Sequence, residues 1–449
     1  MTGKLILAIA IFAAPAEGDW KVGLASVKIT PEEPVQMSGY ASRIKPFEKV
    51  NDDLYAKAIA LEDAQGHRAV LITSDLIGFK GEIADPICER IGAKTGLKRE
   101  EILLNSIHTH SAPSLSLDEN PRDATPAEDA RRTAAYTRGL QDKVVELAVR
   151  ALGKMEPARL SWGTGVAGFV MNRREPTPRG IILGFNPRGH VDRSVPVLRV
   201  DGLDGSLRAV VFGCACHNTT LTQENMLISG DYGGYAQRQI EELHPGALAL
   251  MMLGCAGDAN PHPRGTLQNA RDHGVSLGRE VDRVLGTKLR PVRGPLRTVL
   301  ERVDLPLQAP PSREELEKLA KSGPGEKRGV YKSILGLLDR GEKAPSTYRA
   351  PLGLWQFGED LTMVVLSGEV VVDYVSLLEK SLGPLNLWVA AYSNDVYGYL
   401  PSARILEEGG YETRGTYYGG PGLFAPAAQD ALVGAIRGMA EKAGRPGLK

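Results

Sequence analysis

Ile-Leu-Leu-Asn-Ser-Ile-His-Thr-His-Ser-Ala-Pro, residues 102–113, is the stretch on which the predicted fold depends. Its apolar first half is typical of a buried strand, and that strand leads directly into His108 and His110. Alternate side chains of an extended backbone lie on one face, so both imidazoles point the same way. Imidazole is the commonest metal ligand, so this spacing favours a divalent metal site. The alternative is that either histidine only makes local hydrogen bonds at a strand end.

Length and charge set the limits for the function. A chain of 449 residues predicts one large α/β domain with insertions, or two closely packed domains. Lys plus Arg and Asp plus Glu are equal at 54 each, so composition gives no broad electrostatic reason to expect nucleic acid or an anionic membrane as a partner. Recognition is therefore expected at a specific site.

The N-terminus has the pattern of a signal peptide. Lys4 precedes an apolar run from Leu5 to Ala14, and Ala14-Pro15-Ala16 fits the small-x-small rule for cleavage. We therefore predict a signal peptide over residues 1–16 and a secreted or periplasmic protein. The apolar run is too short to span a bilayer, although a buried first strand is an alternative. No later segment predicts a transmembrane helix.

The cysteines predict buried thiols rather than disulfides. The four cysteines are too few for a disulfide framework in a chain of this length. Cys214, Cys216 and Cys255 lie in apolar runs, and Cys88 lies in a predicted helix. A zinc knot at Cys214–His217 is disfavoured, because alternation sends His217 to the face opposite both sulfurs.

Polar side chains follow the predicted strands. Six apolar strands end at the following residues: Asp75, His108 with His110, His217, Asp258 with Asn260, Glu369, and Asn394 with Tyr399. Ligands of open α/β sheets bind where the carboxyl ends of strands converge. The predicted fold class is therefore α/β, with large mixed sheets, helices packed on the sheets and a site at the C-terminal ends of strands.

Several local patterns predict where helices and turns lie. Asp85 and Pro86 predict the first residues of a helix, and Thr125–Glu128 predicts a capping box. Gly168–Pro178 is predicted to be a polar turn. Residues 308–350 are rich in charge and contain a second capping box at Ser312–Glu315, so this segment is predicted to be a charged helical insertion.

Short motifs recur in a fixed order along the chain. They are Gly23–Pro31, His108–Pro113, Asn172-Arg173, His217–Thr220, Ser229–Tyr232, Gly257-Asp258 with Pro261, Gly368-Glu369, Gly398-Tyr399 and Tyr411-Glu412. Through these motifs the chain resembles the catalytic, N-terminal domain of neutral (non-lysosomal) ceramidases, which are zinc-dependent amidohydrolases. The resemblance runs from about Val22 to about Thr413 and implies one such domain over residues 17–449. The resemblance does not include the family's C-terminal immunoglobulin-like domain, and it implies a small molecule or a lipid-like amide as the partner.

The resemblance implies roles for individual residues. By position, the Zn²⁺ ligands of the family correspond to His108, His217, Glu369 and Tyr399. Tyr397, two residues away, is an alternative to Tyr399. The residues that line the site around the scissile amide correspond to His110, Arg173 and Tyr411. For Arg173, a surface ion pair is the alternative interpretation.

One departure from the family pattern affects the mechanism. Asn260 occupies the place of a serine that is important for activity in the family. An amide cannot act as an alkoxide nucleophile, so a covalent acyl-serine route is excluded at this position. A metal-activated water remains possible, with Asn260 donating a hydrogen bond to a developing oxyanion. Ceramide as the substrate is therefore less firmly implied than metal-dependent hydrolysis.

The expected function is zinc-dependent hydrolysis of an amide bond by a metal-activated water. In this scheme His110 or Asp258 accepts and returns the proton, while Arg173, Tyr411 or Asn260 stabilises negative charge. Two alternatives remain open. One is a metal-dependent hydrolase of another amide, an ester or a sugar-linked substrate. The other is a non-catalytic secreted binding protein that retains the metal site.

Overall fold

The computed structural model describes residues 19–119, 125–323, 327–416 and 422–447. The predicted signal peptide, residues 1–16, lies outside the described residues and stays a prediction. In the described residues the strands are β1 Trp20–Lys28, β2 Lys49–Val50, β3 Tyr55–Asp63, β4 Arg68–Ser74, β5 Ile102–Ser106, β6 Glu156–Val166, β7 Val170–Thr177, β8 Gly180–Asn186, β9 Ser194–Gly202, β10 Leu207–Cys214, β11 Leu227–Ile228, β12 Leu248–Leu253, β13 Ala259–Pro261, β14 Arg290–Val292, β15 Leu296–Pro306, β16 Thr347–Phe357, β17 Leu361–Val365, β18 Glu369–Val370, β19 Leu387–Ala390 and β20 Tyr399–Leu400. The α-helices are α1 Gly81–Thr95, α2 Ala127–Leu152, α3 Asp231–Leu243, α4 Leu267–Leu285, α5 Arg313–Ser322, α6 Arg328–Asp339, α7 Asp373–Leu382, α8 Ala403–Glu408 and α9 Ala427–Lys442.

Two large mixed sheets pack face to face with helices outside them. The larger sheet has the order β12-β10-β9-β6-β1-β3-β4-β5, with β14 paired to β6, and the smaller has the order β15-β16-β17-β19. A core that contains Trp20 and Trp162 from the larger sheet and Trp355 and Met363 from the smaller lies between them. The predicted α/β class with mixed sheets is confirmed.

Strand β3 shows why its sequence is apolar at nearly every position. Ala58 and Ala60 face the core beneath α1 and α2, while Ile59 and Leu61 face the smaller sheet. Successive side chains of a strand point to opposite faces, so a strand between two packed layers needs apolar residues on both. Helices α3 and α4 cover another part of the larger sheet, and α7 and α9 pack with the smaller sheet.

A buried asparagine joins three strand ends. Strands β5 and β12 lie at opposite ends of the sheet order, yet the Leu253 N–H donates to Asn105 Oδ1 at 3.0 Å. The Asn105 amide donates to Ala391 O at 2.7 Å and to Ser393 Oγ at 3.0 Å. The larger sheet therefore curls until its two edges meet, and the smaller sheet is attached at the same point.

Helix α1 begins earlier than predicted. Its N-cap is Lys80, and Pro86 lies inside the helix rather than at its start. The cause is a tertiary contact, because Asp395 Oδ1 accepts a hydrogen bond from the Gly81 N–H at 2.8 Å. A carboxylate from a distant part of the chain thus takes the place of the local cap, and the prediction at Asp85 was wrong by about one turn.

The other local predictions have mixed outcomes. Helix α2 has Pro126 as its N-cap without a side-chain capping bond, so the predicted box at Thr125 was wrong by one position. Ser312 is confirmed as the N-cap of α5, because its side chain accepts from the Glu315 N–H, which is one of the two hydrogen bonds of a capping box. The stretch predicted as a polar turn is strand β7, whose arginines find a buried partner.

Helices α5 and α6 occupy the segment 308–350 and share a small core of their own. That this segment is an insertion stays a prediction.

All four cysteines are free and buried, as predicted. Among the described helices, none combines the length and the apolar composition needed to cross a membrane.

We predict that Asn105→Ala lowers the free energy of unfolding by about 3 kcal/mol, roughly 1 kcal/mol for each of three lost buried hydrogen bonds. Urea denaturation followed by circular dichroism measures this change. Asn51→Ala, which removes an exposed amide, is the matched control and is expected to cost less than about 0.5 kcal/mol. Equal effects of the two substitutions would show that the Asn105 amide does not hold the strand ends together.

Candidate metal centre

The segments after several strands converge on one buried space. His108 follows β5, His217 follows β10, and Glu369 opens β18 just after β17. The two histidine segments are joined directly, since Asn218 Nδ2 donates to Ile107 O at 2.6 Å and the His110 N–H donates to Asn218 O at 3.2 Å. The predicted position of a site at strand ends is confirmed.

Backbone carbonyls orient the two central imidazoles. Nδ1 of His108 lies 2.5 Å from Ile77 O, and Nδ1 of His217 lies 2.6 Å from Ala256 O. A carbonyl can only accept, so each Nδ1 carries the proton and each Nε2 carries a lone pair. His108 also has a left-handed backbone with φ of 61°, which is uncommon for a residue with a side chain. These constraints aim both lone pairs into the same space.

The carboxylate of Glu369 faces both lone pairs. Its Oε2 lies 3.2 Å from His108 Nε2 and 3.1 Å from His217 Nε2. Burial lowers the pKa of His217 to about 3, and Arg173 adds to this effect, so its imidazole is neutral. With both imidazoles neutral and the carboxyl ionised, three acceptor atoms face one another.

His110 adds a third imidazole. Its Nε2 lies 3.1 Å from Nε2 of His108, and ligand atoms of His108, His110 and His217 all lie within 4.8 Å of one another. Burial lowers its pKa well below the usual range, and the two neighbouring histidines add to the shift. Gly39, with φ of +94°, packs against this ring so closely that a Cβ would lie 2.4 Å from it.

Tyr399 lies beside the imidazoles, and Tyr397 is turned away. The Tyr399 ring is stacked on that of His217 with centroids 6.5 Å apart, and its Oη accepts from Arg173 Nη2 at 3.0 Å. Tyr397 instead donates to Ser367 O and packs on Tyr348. Of the two tyrosines considered from the sequence, geometry places Tyr399 at the centre.

Arg173 is buried at the centre and is not a surface residue. Its Nη1 lies 3.4 Å from His217 Nε2, and its Nε donates to Glu412 Oε1 at 2.9 Å. Arg174 donates to the other oxygen of Glu412 at 2.6 Å. The surface ion pair considered for Arg173 is therefore wrong. Glu412 lies in the Tyr411-Glu412 motif and Arg174 directly follows the Asn172-Arg173 motif, but no role was predicted for either residue.

The remaining predicted site residues surround Arg173. Tyr411 has its ring 5.5 Å from the Arg173 guanidinium and 5.5 Å from the Tyr399 ring. Asn260 Oδ1 lies 3.4 Å from Arg173 Nη1 and accepts from Thr219 Oγ1 at 3.1 Å. The Asn260 side chain thus borders the centre with its oxygen turned towards the guanidinium.

Asp258 lies behind the centre. Its carboxylate accepts hydrogen bonds from the Val372 N–H at 2.8 Å and from Asn172 Nδ2 at 3.3 Å. Burial raises its pKa to about 7, and Glu412 adds to the shift. Asp75, which was grouped with the strand-end residues, accepts from the Tyr55 N–H and from Gln237 instead. These two carboxylates hold backbone segments in place.

Tyr392 is a neighbour of the centre that the sequence did not reveal. Its ring lies 4.5 Å from that of His108 and 6.0 Å from that of His217. Within the described residues its buried hydroxyl has no hydrogen-bond partner. The only sequence signal for it was its position at the end of a predicted strand.

Comparisons with known proteins identify the family of this chain. Residues 20–252, more than half of the chain, match the family described as "Neutral/alkaline non-lysosomal ceramidase, N-terminal". Neutral ceramidase A of Dictyostelium discoideum is 25% identical over 269 residues, which cover 56% of this chain and 37% of the relative. Neutral ceramidase of Pseudomonas aeruginosa is 25% identical over 268 residues, covering 58% and 39%. The matched stretch thus spans less than half the length of these curated relatives.

Solved structures extend the likeness of the fold to nearly the whole chain. The crystal structure of neutral ceramidase from Pseudomonas aeruginosa superposes with a TM-score of 0.70 at 21% identity, and the alignment covers 96% of this chain and 75% of that one. A structure described as "Ceramidase complexed with C2" also gives a TM-score of 0.70, at 20% identity, covering 96% and 76%. On the match over residues 20–252, this chain belongs to the neutral/alkaline non-lysosomal ceramidase family.

Proposed function

We propose that this protein is a zinc-dependent hydrolase that cleaves the amide bond of ceramide or of a similar lipid amide. The observation that carries the proposal is the cluster of acceptors at the converging strand ends. Glu369 Oε2 lies 3.2 Å from His108 Nε2 and 3.1 Å from His217 Nε2. Facing lone pairs repel, and a cation between them removes that repulsion.

The donor set fits zinc. Zinc binds imidazole nitrogen and carboxylate oxygen at about 2.0–2.2 Å, which in a tetrahedron separates neighbouring ligand atoms by roughly 3.3–3.6 Å. The observed separations of 3.1 and 3.2 Å are close to that value. His108, His217 and Glu369 would hold the ion, with Tyr399 as the fourth group and His110 as the nearest alternative. A bound zinc ion polarises a carbonyl and lowers the pKa of water.

The protein's own residues supply proton transfer and charge. His110 is neutral and directed into the centre, so its Nε2 is placed to hold a proton taken from water and to pass it to the leaving nitrogen. Arg173 faces the same space and carries a permanent positive charge, which stabilises the negative charge that develops on the carbonyl oxygen of the substrate. Glu412 fixes the orientation of its guanidinium. Asp258 is less well placed for proton transfer, because its oxygens already accept hydrogen bonds from the Val372 N–H and from Asn172.

Asn260 favours direct attack by water over an acyl-enzyme. No alkoxide can form on an amide side chain, so this position cannot provide a covalent route. The same residue is the reason to keep a second candidate function, a binding protein that retains the metal centre without turnover. Another amide, an ester or a sugar-linked substrate also remains open, because the chain matches less than half of the relatives named for ceramide hydrolysis.

Replacing the carboxylate should remove the metal. We predict about one zinc ion per chain in the purified protein and well below half of that in Glu369→Ala, because a tetrahedral site loses its only charged carboxylate ligand. Mass spectrometry of the metal content measures both. Glu359→Ala, an exposed glutamate away from the centre, is the matched control and should keep the full content. A Glu369→Ala protein with unchanged zinc would contradict the assignment of this ligand.

Removal of an imidazole should abolish turnover. His108→Ala is expected to lower the metal-dependent rate on a panel of fluorogenic lipid amides and esters by at least about 1,000-fold, a loss of roughly 4 kcal/mol in transition-state stabilisation. His67→Ala, whose side chain is 55% exposed and pairs with Asp63, should keep the wild-type rate. A wild-type protein that binds zinc but hydrolyses nothing on the panel would instead favour the binding protein.

The Asp258 carboxyl should make stability depend on pH. Its pKa is about 7 in the folded protein and near 3.8 when exposed, so between these values the folded state holds a proton that the unfolded state has lost. Stability from this group is therefore present below about pH 4 and is lost as the pH rises to about 7, by roughly 3–4 kcal/mol. Asp258→Asn should flatten this part of the profile in urea denaturation. An unchanged slope would contradict the prediction.

A further inference from the structure

Strands β7 and β8 form a projecting antiparallel pair, residues 170–186, which we name the β7–β8 ribbon. The described residues include eight exposed large hydrophobic side chains, and three of them lie close together on β8: Ile182 at 48%, Leu183 at 48% and Phe185 at 44% exposure. Single exposed apolar residues are normal on any protein, but a cluster of them indicates a binding surface.

Both faces of strand β8 carry exposed side chains. Ile182 and Leu183 are consecutive residues of a strand, so their side chains point to opposite faces. In the sheet order β13-β7-β8, strand β8 is the edge strand, with β7 as its neighbour among the described residues. The outer part of the ribbon therefore extends into solvent and does not cover a core of its own.

The ribbon adjoins the metal centre. Leu183 and Phe185 line a cavity of about 320 Å³ together with Asn260. Asn260 in turn lies 3.4 Å from the Arg173 guanidinium. Arg173 and Arg174 are themselves residues of β7, so the base of the ribbon is anchored at the centre while its apolar part borders an open cavity.

Positive charge flanks the apolar cluster. Arg179 and Arg188 are exposed on either side of Ile182–Phe185, and residues 176–190, all of which are described, include no exposed acidic residue. Arginines beside projecting apolar side chains suit an interface in which the apolar groups enter a lipid layer and the guanidinium groups meet anionic head groups. The chain has no net charge, so such an attraction must be local. A second copy of this chain fits less well, because pairing two ribbons face to face would bring like charges together.

We propose that the β7–β8 ribbon docks the protein on a lipid surface with anionic head groups, so that a lipid amide reaches the metal centre through the adjoining cavity. Delivery of substrate rests on the function proposed above, whereas docking does not require turnover. Docking can therefore be measured as binding alone.

Co-sedimentation with vesicles of phosphatidylcholine and phosphatidylglycerol tests the docking. We expect the wild-type protein to bind these vesicles and the double variant Ile182→Asn with Leu183→Asn to bind at least about 10-fold more weakly. The matched control is Leu385→Asn, which removes a side chain that is 77% exposed outside the ribbon and should bind within about twofold of wild type. Arg179→Ser with Arg188→Ser should abolish the preference for these vesicles over pure phosphatidylcholine.

His108→Ala separates docking from catalysis, because it should bind vesicles as the wild-type protein does while losing turnover. Circular dichroism confirms that each variant is folded, which is expected because the substituted ribbon side chains are exposed. Wild-type binding that survives the Ile182 and Leu183 substitutions would overturn the proposal, as would a wild-type protein that binds neither vesicle. A dimer seen by sedimentation and lost in the ribbon variant, without vesicle binding, would identify the ribbon as a self-interface and also overturn it.

Discussion

The structure depends on holding three mutually repelling acceptors in one buried space. His108 Nε2, His217 Nε2 and Glu369 Oε2 have no proton between them when the imidazoles are neutral and the carboxyl is ionised. Lone pairs that face each other at hydrogen-bond distance are unfavourable, and low local polarity strengthens the effect. The surrounding protein must therefore supply the energy that keeps the arrangement together in the absence of a cation.

That energy comes from a layer of fixed polar contacts around the acceptors. Carbonyls of Ile77 and Ala256 fix the imidazole tautomers, and buried amides of Asn105 and Asn218 hold the segments that carry them. Each of these groups has a hydrogen-bond partner in the protein interior, where an unsatisfied polar atom is costly. The site is thus preorganised by residues outside the set proposed to bind the metal, and two curved sheets packed face to face give these residues a rigid base.

Much of the centre could be predicted from the sequence, because strand patterns place their end residues reliably. His108, His110 and His217 follow long apolar runs, Glu369 and Tyr399 were also among the predicted strand-end residues, and the resemblance to a known family gave these residues their roles. The spacing in the sequence could not decide whether Tyr397 or Tyr399 lies at the centre, since residues two apart share a face of an extended chain. It depends on which hydroxyl reaches Arg173, and that contact joins segments more than 200 residues apart.

The parts that sequence patterns missed are those set by distant partners. Strand β7 was predicted as a polar turn because its arginines suggest a solvated segment, yet both pair with the buried Glu412, and Arg174 pairs with Glu408 as well. Helix α1 starts early because Asp395 caps it from far along the chain. The sequence around Tyr392 did not predict that its ring packs beside His108 and His217. In each case a tertiary contact outweighs the local preference on which sequence analysis relies.

The two adjacent arginines of β7 have a consequence for how this segment can change over evolution. Arg173 and Arg174 each bind a different oxygen of the same buried carboxylate, that of Glu412. The register of the strand must therefore keep both arginines at their present positions. Deletion of one residue before Arg173 would bring Glu175 into the place of Arg174, facing Glu412 with a like charge. Exchange of one arginine would remove one partner of Glu412, whereas a change in the length of this strand would displace the whole cluster at once.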